Sequence, residues 1–162
     1  NAILQAQRSV DDLTWGIDIP SFSQKEDDRY FEYLDAIASF CQRGLPFREV
    51  MTFRNSRHYV ERALNMLQQN LISYNLRYYD IDLLRHPPLM SIMIVDGIEA
   101  LIAWYRWPYL PPHAEKRLVI RVPAIVGLLA DYFETIWFGA RVIKNGDKVD
   151  WPEVEKVKQL WE

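Results

Sequence analysis

The chain has 162 residues, of which 49% are hydrophobic and 14% aromatic, enough to form the core of one domain. Its formal net charge of −3 predicts no direct binding of nucleic acid by this domain, which would need a basic surface. No run of about 18 uncharged apolar residues is present, so no membrane span is predicted. One cysteine and the absence of a signal peptide predict a cytoplasmic protein.

The first half of the chain alternates predicted strands and helices. Ser9–Ile19 ends in an extended stretch, and Ser23 with Glu26 three residues later forms a capping box that begins a helix. Apolar residues from Tyr30 to Cys41 recur at helical spacing and predict the buried face of that helix. The next predicted elements are a strand at Phe47–Phe53, a helix at Ser56–Ile72 and a strand at Asn75–Ile81.

The second half of the chain begins with a predicted β-hairpin. Leu89–Val95 and Ile98–Trp104 are apolar runs on either side of Asp96-Gly97. This pair favours a type I′ turn, because both central residues of that turn need positive φ. The remaining predicted elements are a strand at Arg117–Val122, a buried helix from Pro123 to Lys144 and a terminal helix at Asp150–Glu162.

The order of these elements predicts an α/β fold. Helices that connect strands imply parallel neighbours, whereas the hairpin adds an antiparallel pair. We therefore expect a mixed, mostly parallel sheet with helices on both faces. Residues 1–144 would form this domain, and residues 145–162 would be a C-terminal helical extension packed on it.

The stretch from Leu89 to Trp104 resembles the motif region of one half of the phospholipase D superfamily. The family motif is H-x-K-x4-D on a strand that ends in a turn, followed by a second apolar strand. With the motif's aspartate placed on Asp96, both apolar runs match in length and character. Phe133 and Trp137 match an F…W pair in the helix that follows. The resemblance covers most of the chain up to about residue 143 and implies a phospholipase D-like fold.

The same alignment puts Leu89 at the motif's histidine and Ser91 at its lysine. In the family the histidine is the nucleophile that takes up the phosphoryl group, and the lysine holds the phosphate charge. Leucine has no lone pair for this attack, and serine supplies no charge. The resemblance therefore implies a catalytically inactive regulatory domain that senses a ligand or interacts with a protein, within a longer signalling or transcription-regulatory protein. It also implies a homodimer, or pairing with a second half of the same type.

Candidate ligand-binding residues follow the ends of predicted strands. Arg54, Asn55 and His58 lie between a strand and a helix, where helix N-termini favour anions. The alternative is an ordinary helix cap, in which Asn55 or Ser56 satisfies the first turn. The other candidates for contact with an unknown small ligand in the same cleft are Arg85, His86 and Trp15.

Two alternatives remain open at this point. One is a phosphodiesterase or other hydrolase with a relocated active site around Ser91, His86 and Asp96, which requires these groups to converge within hydrogen-bond reach of a substrate. The other is a structural dimerisation domain without a ligand. The three histidines show no metal-ligand spacing and there is one cysteine, so we predict no metal and no cofactor.

Overall fold

The computed structural model of the chain describes residues 2–16, 24–53, 57–79, 90–104 and 116–159. Within these ranges the backbone forms five helices and eight strands. In chain order they are α1 Ala2–Gln5, β1 Val10–Gly16, α2 Gln24–Gln42, β2 Phe47–Phe53, α3 Arg57–Gln68, β3 Tyr74–Tyr78, β4 Met90–Val95, β5 Glu99–Trp104, β6 Lys116–Ile120, α4 Pro123–Gly139, β7 Arg141–Asn145, β8 Lys148–Val149 and α5 Trp151–Gln159.

The described strands form one open sheet with the order β6-β5-β4-β1-β2-β3-β7-β8. The α/β class and the mixed sheet are confirmed, but the prediction of a mostly parallel sheet is wrong. The pairs β1–β2 and β2–β3 are parallel, and the other five pairs are antiparallel. The reason is that only α2 and α3 cross from the end of one strand to the start of its neighbour, as parallel pairing requires.

The predicted hairpin is confirmed in its described part, which begins at Met90. Asp96 and Gly97 have φ angles of 55° and 69°, and the backbone N–H of Ile98 donates to the carbonyl oxygen of Val95 at 3.0 Å. Both central residues thus adopt the left-handed conformation that a type I′ turn needs. This turn directs β5 back along β4 over its whole described length.

Helices cover both faces of the sheet, as predicted. On one face, which we call the α2 face, apolar residues of α1, α2, α3 and α5 pack against β1, β2 and β3. On the opposite face, the α4 face, α4 packs against β1, β2, β4 and β5. Alternation along β1 explains the division, since Val10 contributes to the first core and Leu13 to the second. Burial of these two layers is the main source of stability for such a fold.

The end of α4 differs from the sequence prediction. The helix ends at Gly139, and Ala140 is extended with φ −85° and ψ 149°. Arg141–Asn145 is strand β7, which pairs with β3 instead of continuing the helix. Only one side of α4 is buried, so the prediction of a buried helix holds for that side alone.

A cation holds α4 on the sheet. The guanidinium of Arg48 donates to Asp11 at 2.6 Å and to Glu134 at 2.7 Å. It also lies over the rings of Phe133 and Trp137, 5.1 and 5.4 Å from their centroids. Cation–π contacts and bidentate carboxylate pairing both depend on the planar guanidinium, so Lys would not replace Arg48.

The C-terminal segment shares the core of the α2 face. Val154 and Val157 of α5 are buried in it. The buried ammonium of Lys144 donates to the carbonyl oxygens of Leu71 at 2.7 Å and Tyr74 at 2.9 Å, which ties β7 to the start of β3. The division into domains at residue 144 falls inside β7 and stays a prediction. None of the helices in the described parts of the chain combines the length and the apolar character needed to cross a bilayer.

Candidate functional site

Strands β1, β2, β3 and β4 are among those with an end at one edge of the sheet, which we call the carboxyl edge. The parallel strands β1, β2 and β3 end there, at Gly16, Phe53 and Tyr78, and Gly16 is directly opposite Phe53. Strand β4 runs antiparallel to β1, so it begins at the same edge with Met90. Open α/β sheets bind their ligands at the carboxyl ends of strands, which makes this edge the candidate site.

Two of the predicted site residues have their backbone at the carboxyl edge. Ser91 of β4 lies one residue nearer to this edge than Ile92, which pairs with Leu13 of β1. Trp15 is the last residue but one of β1 and pairs with Thr52 of β2. The side chain of Ser91 is half-buried, whereas that of Trp15 lies outside the described atoms. Contact of either residue with a ligand stays a prediction.

The side chains of the other predicted ligand-binding residues lie outside the described atoms. His58 belongs to the first turn of α3, and only its backbone is described. The roles assigned to them therefore remain predictions. Five of the predicted positions lie outside the described residues, namely Arg54, Asn55, Arg85, His86 and Leu89.

Asp96, on which the resemblance places the motif's aspartate, binds the segment that precedes β1. Its carboxylate accepts hydrogen bonds from the backbone N–H groups of Gln7 at 2.9 Å, Arg8 at 2.7 Å and Ser9 at 3.1 Å. Its own N–H donates to the carbonyl oxygen of Ser9 at 2.9 Å. Burial alone would raise the pKa of Asp96, but the three N–H donors lower it below its usual value. Asp96 therefore fixes the segment between α1 and β1.

The geometry contradicts a relocated active site around Ser91, His86 and Asp96. Ser91 lies near the start of β4 and Asp96 directly after its end, and the five residue steps between them place their Cα atoms about 16 Å apart. The carboxylate of Asp96 is also occupied by backbone donors. Ser91 and Asp96 cannot act on one substrate group, so this constellation is wrong as predicted.

Behind the carboxyl edge lies a buried acid network that sequence reasoning missed. Asp12 of β1 and Glu49 of β2 point to the α2 face and are 4% and 0% exposed. Arg62 of α3 lies between them, with Nη2 hydrogen-bonded to Oε1 of Glu49 and 3.9 Å from Oδ2 of Asp12. One buried cation thus compensates two buried carboxylates, an arrangement that requires further hydrogen bonds.

Hydroxyl groups supply those further hydrogen bonds. Tyr33 of α2 donates to Asp12, and Tyr74 of β3 donates to Oε2 of Glu49 at 2.6 Å. Nη2 of Arg62 donates to the Tyr33 hydroxyl at 3.0 Å, and the guanidinium lies over the Tyr33 ring at 4.4 Å. Nε of Arg62 has no hydrogen-bond partner among the described residues. Because Arg62 and the two tyrosines enclose them, neither buried carboxylate can contact a substrate.

The network strongly perturbs ionisation. Burial, and then the neighbouring Glu49 carboxylate, raise the pKa of Asp12 to about 6, although Arg62 opposes this shift. Burial alone would lower the pKa of Arg62, but Glu49, Tyr33 and Asp12 together raise it well above its ordinary value. Arg62 therefore stays charged, and Asp12 takes up a proton as the pH falls through about 6.

The substitution Asp12→Asn is expected to remove a pH dependence of stability. Because the folded pKa of about 6 exceeds the ordinary value of 3.8, the folded protein binds the proton more tightly, and this stabilisation disappears as pH rises through 6. On lowering the pH from 7 to 5, the free energy of unfolding should rise by about 1 kcal/mol more in the wild type than in Asp12→Asn.

Urea denaturation at the two pH values measures this difference. Asp35→Asn, which changes an exposed aspartate of α2, is the matched control and should keep the wild-type response. An Asp12→Asn variant with the same pH response as the wild type would contradict the assignment of the titrating group.

A sequence signal for the network did exist. The central strand β1 contains Asp11-Asp12, and strand residues alternate between faces. In a strand covered on both faces, one of two adjacent acids must point into each layer. The structure turns Asp11 to Arg48 on the α4 face and Asp12 to Arg62 on the α2 face.

Other sites within the described ranges are few. No group of three or more His, Cys, Asp or Glu side chains there is placed to hold a metal. A cavity of about 30 Å³ between α3 and α5 is lined mainly by apolar side chains such as Leu67 and Val157, which leaves room for little more than a water molecule. The thiol of Cys41 is buried, and burial raises its pKa to about 12, which makes it a poor nucleophile.

The comparisons with known proteins identify the fold class. No protein-family model and no curated protein matches the chain. Among solved structures, NucT from Helicobacter pylori is similar with a TM-score of 0.60 and 14% sequence identity, over 87% of this chain and 86% of that one. TrmBL2, an archaeal chromatin protein described with a novel mode of DNA binding, is similar with a TM-score of 0.59 and 16% identity. That alignment covers 86% of this chain, which spans 47% of the TrmBL2 chain.

These similarities are consistent with the predicted phospholipase D-like fold. They also correct one prediction about partners. The exclusion of nucleic-acid binding on the basis of net charge is wrong, because the same fold forms about half of a DNA-binding chromatin protein. The net charge of a chain does not describe the charge of one surface, nor of a longer protein. Cytoplasmic location and the absence of metal and cofactor stay predictions.

Proposed function

We propose that this chain is a catalytically inactive phospholipase D-like domain that serves as a regulatory module of a longer, nucleic-acid-associated protein. The observation that carries the proposal is the identity of the β4 residue at the position of the motif's lysine. This residue is Ser91, a half-buried hydroxyl without charge, close to the carboxyl edge. With Leu89 at the histidine position, the chain has neither the nucleophile nor the phosphate-binding cation of the family motif.

Two further observations support this proposal. The carboxylate of Asp96 is occupied by three backbone donors, and the acids behind the carboxyl edge are enclosed by Arg62 and two tyrosines. Neither set of carboxylates is available as a general base, which would have to reach a substrate directly or through one water. The similarity to TrmBL2 supports nucleic acid as the partner class of the whole protein.

A hydrolysis assay tests the inactive part of the proposal. We expect no hydrolysis of bis-p-nitrophenyl phosphate or of linear duplex DNA above the buffer rate, whereas an active phosphodiesterase of the superfamily serves as positive control. The matched variant Ser91→Ala should be equally inactive, because Ser91 has no catalytic role in this proposal. Hydrolysis that co-elutes with the chain and falls in Ser91→Ala would instead establish an enzyme whose site is at the carboxyl edge.

A ligand screen tests the regulatory part. A compound bound at one hundred times its Kd stabilises a protein by about 2.7 kcal/mol, so a panel of nucleotides can be examined by thermal unfolding. We expect a stabilising compound whose effect is lost in Ser91→Tyr, in which a larger side chain occupies the carboxyl edge. A compound whose effect survives this substitution would place the ligand elsewhere, and a panel without effect would favour the protein-interaction alternative.

Fluorescence anisotropy with a labelled DNA duplex tests the nucleic-acid part. If the logarithm of the binding constant falls linearly with the logarithm of the salt concentration, phosphate contacts are assigned to this domain. Binding by a longer version of the protein, but not by this chain, would assign those contacts to its other parts. The absence of binding by both would contradict the proposed partner class.

A further inference from the structure

Helix α4 exposes a large apolar surface on the side that faces away from the sheet. Its buried side consists of Val126, Phe133, Ile136 and Trp137. The exposed fractions on and next to its outer side are 52% for Val122, 43% for Ile125, 68% for Leu128, 37% for Tyr132 and 76% for Phe138; these five residues are called the α4 patch.

The composition of α4 does not fit a helix whose outer side faces water. A surface helix normally carries charged residues opposite its buried stripe, and a helix that is apolar all round is normally enclosed. The charged residues of α4 are Asp131 and Glu134, and Glu134 is bound by Arg48. Exposed apolar patches of this kind mark interaction surfaces.

We infer that the α4 patch is the surface through which the chain binds a second copy of itself, by packing two α4 helices around a twofold axis. Multiplying these exposed fractions by ordinary residue areas gives an exposed area of roughly 600 Å² for the five residues. A standard protein–protein interface buries roughly 800 Å² per partner, with its polar rim included. The patch therefore supplies most of the area that a stable dimer needs. This inference does not depend on the proposed function.

Leu128 of the patch and the neighbouring Gly127 together provide the projection and the recess that a twofold contact requires. Leu128 projects from the middle of the helix, and Gly127 beside it leaves the backbone bare, since a Cβ there would meet no atom within 4 Å. In a twofold contact the same surface must provide the projection and the recess. Two α4 helices that cross near Gly127 would seat Leu128 of each against the bare backbone of the other, as in ridges-into-grooves packing.

The charges around the patch are compatible with self-association. Arg121 at its start is paired with Glu99, and Arg141 just beyond its end is paired with Glu153, so the rim has no excess of either sign there. Asp131, one turn beyond Leu128, is the remaining charge on this side of α4, and its repulsion between the two copies is a cost that burial of the apolar patch has to exceed.

The test compares two substitutions that introduce the same charge at equally exposed aliphatic residues. Leu128 and Ile72 are both 68% exposed, and Ile72 lies away from α4, between α3 and β3. Sedimentation velocity between about 1 and about 100 μM should show a wild-type dimer, a dissociation constant at least about tenfold higher for Leu128→Asp, and a constant within about twofold of wild type for Ile72→Asp.

A second measurement locates the contact without relying on a charged residue. Leu128→Cys should form a disulfide between copies when oxidised glutathione is added, because residues near a twofold axis bring their Cα atoms within bonding range. Ile72→Cys should remain unlinked, and native Cys41 is buried. A wild-type chain that stays monomeric over the whole concentration range, or equal dissociation constants for Leu128→Asp and Ile72→Asp, would overturn the inference.

Discussion

Replacing Arg62 by Met is expected to lower the free energy of unfolding by about 3–5 kcal/mol at pH 7, because removal of one partner leaves buried charge uncompensated. Glu49 is fully buried and Asp12 nearly so, and Arg62 is the cation that reaches both. The loss is a large part of the 5–15 kcal/mol that stabilises a typical domain. Urea denaturation followed by tryptophan fluorescence measures it.

Two companion variants separate charge compensation from packing. Arg62→Met combined with Glu49→Gln and Asp12→Asn should recover most of the lost stability, since no buried charge then remains unpaired. Arg121→Met removes an exposed arginine that is paired with Glu99 and should cost less than about 1 kcal/mol. If Arg62→Met were no more harmful than Arg121→Met, Arg62 would not be the compensating cation.

The Arg62→Met deficit should also shrink at lower pH. Without the guanidinium, whose charge lowers the pKa of Asp12, the neutral form of this buried acid is favoured more strongly than in the wild type. A fall in pH from 7 to 5 then protonates Asp12 in the folded protein and removes part of the unpaired charge. A deficit that grows on acidification would contradict this account of the network.

Replacing Asp96 by Ala is expected to cost about 2–4 kcal/mol, because charge-assisted hydrogen bonds from three backbone N–H groups are lost and an alanine must adopt positive φ. The donors are those of Gln7, Arg8 and Ser9, which precede β1. Asp96→Gly removes the same acceptor but accepts the φ of 55° without strain, so it should cost somewhat less than Asp96→Ala.

The neighbouring turn residue provides the control for this prediction. Gly97→Ala adds a methyl group where no atom lies within 4 Å, so it reports the cost of positive φ alone, about 1 kcal/mol. Hydrogen exchange should show that the amides of residues 7–9 lose protection in Asp96→Ala and keep it in Gly97→Ala. Equal protection in the two variants would show that the Asp96 carboxylate does not hold this segment.

The pH dependence of Asp96 is opposite in sign to that of Asp12. Its pKa is lowered in the folded protein, so its contribution is present above the ordinary value of 3.8 and is lost as pH falls through the lower folded value. Acid unfolding of the wild type should therefore begin below the window in which Asp12 becomes protonated. In Asp96→Ala this acid-induced loss should be reduced.

Local sequence signals predicted the elements whose conformation depends on nearby residues. The pair Asp96-Gly97 predicted the hairpin turn, because the φ preference of a turn residue is a local property. The spacing of Leu34, Ile37 and Cys41 predicted the buried face of α2, since all three are buried. In both cases the physical cause acts within a few residues.

Strand β7 and the direction of the sheet were not predictable in the same way. Val142 and Ile143 continue an apolar run that periodicity alone assigns to the preceding helix. They form a strand because the outer edge of β3 accepts an antiparallel neighbour, and β3 ends more than 60 residues earlier in the chain. Pairing between distant segments leaves no local signal in the sequence.

The sequence by itself determined the hairpin turn, the buried face of α2 and the α/β class. Only the tertiary structure decided that Asp96 binds backbone groups at residues 7–9, that Asp12 is turned inward against Arg62, and that the outer side of α4 is left uncovered. The physical reason is the range of the interactions involved. Backbone preferences and periodic burial are expressed between near neighbours, whereas the partner of a carboxylate or the covering of a helix face depends on segments that meet only when the chain folds.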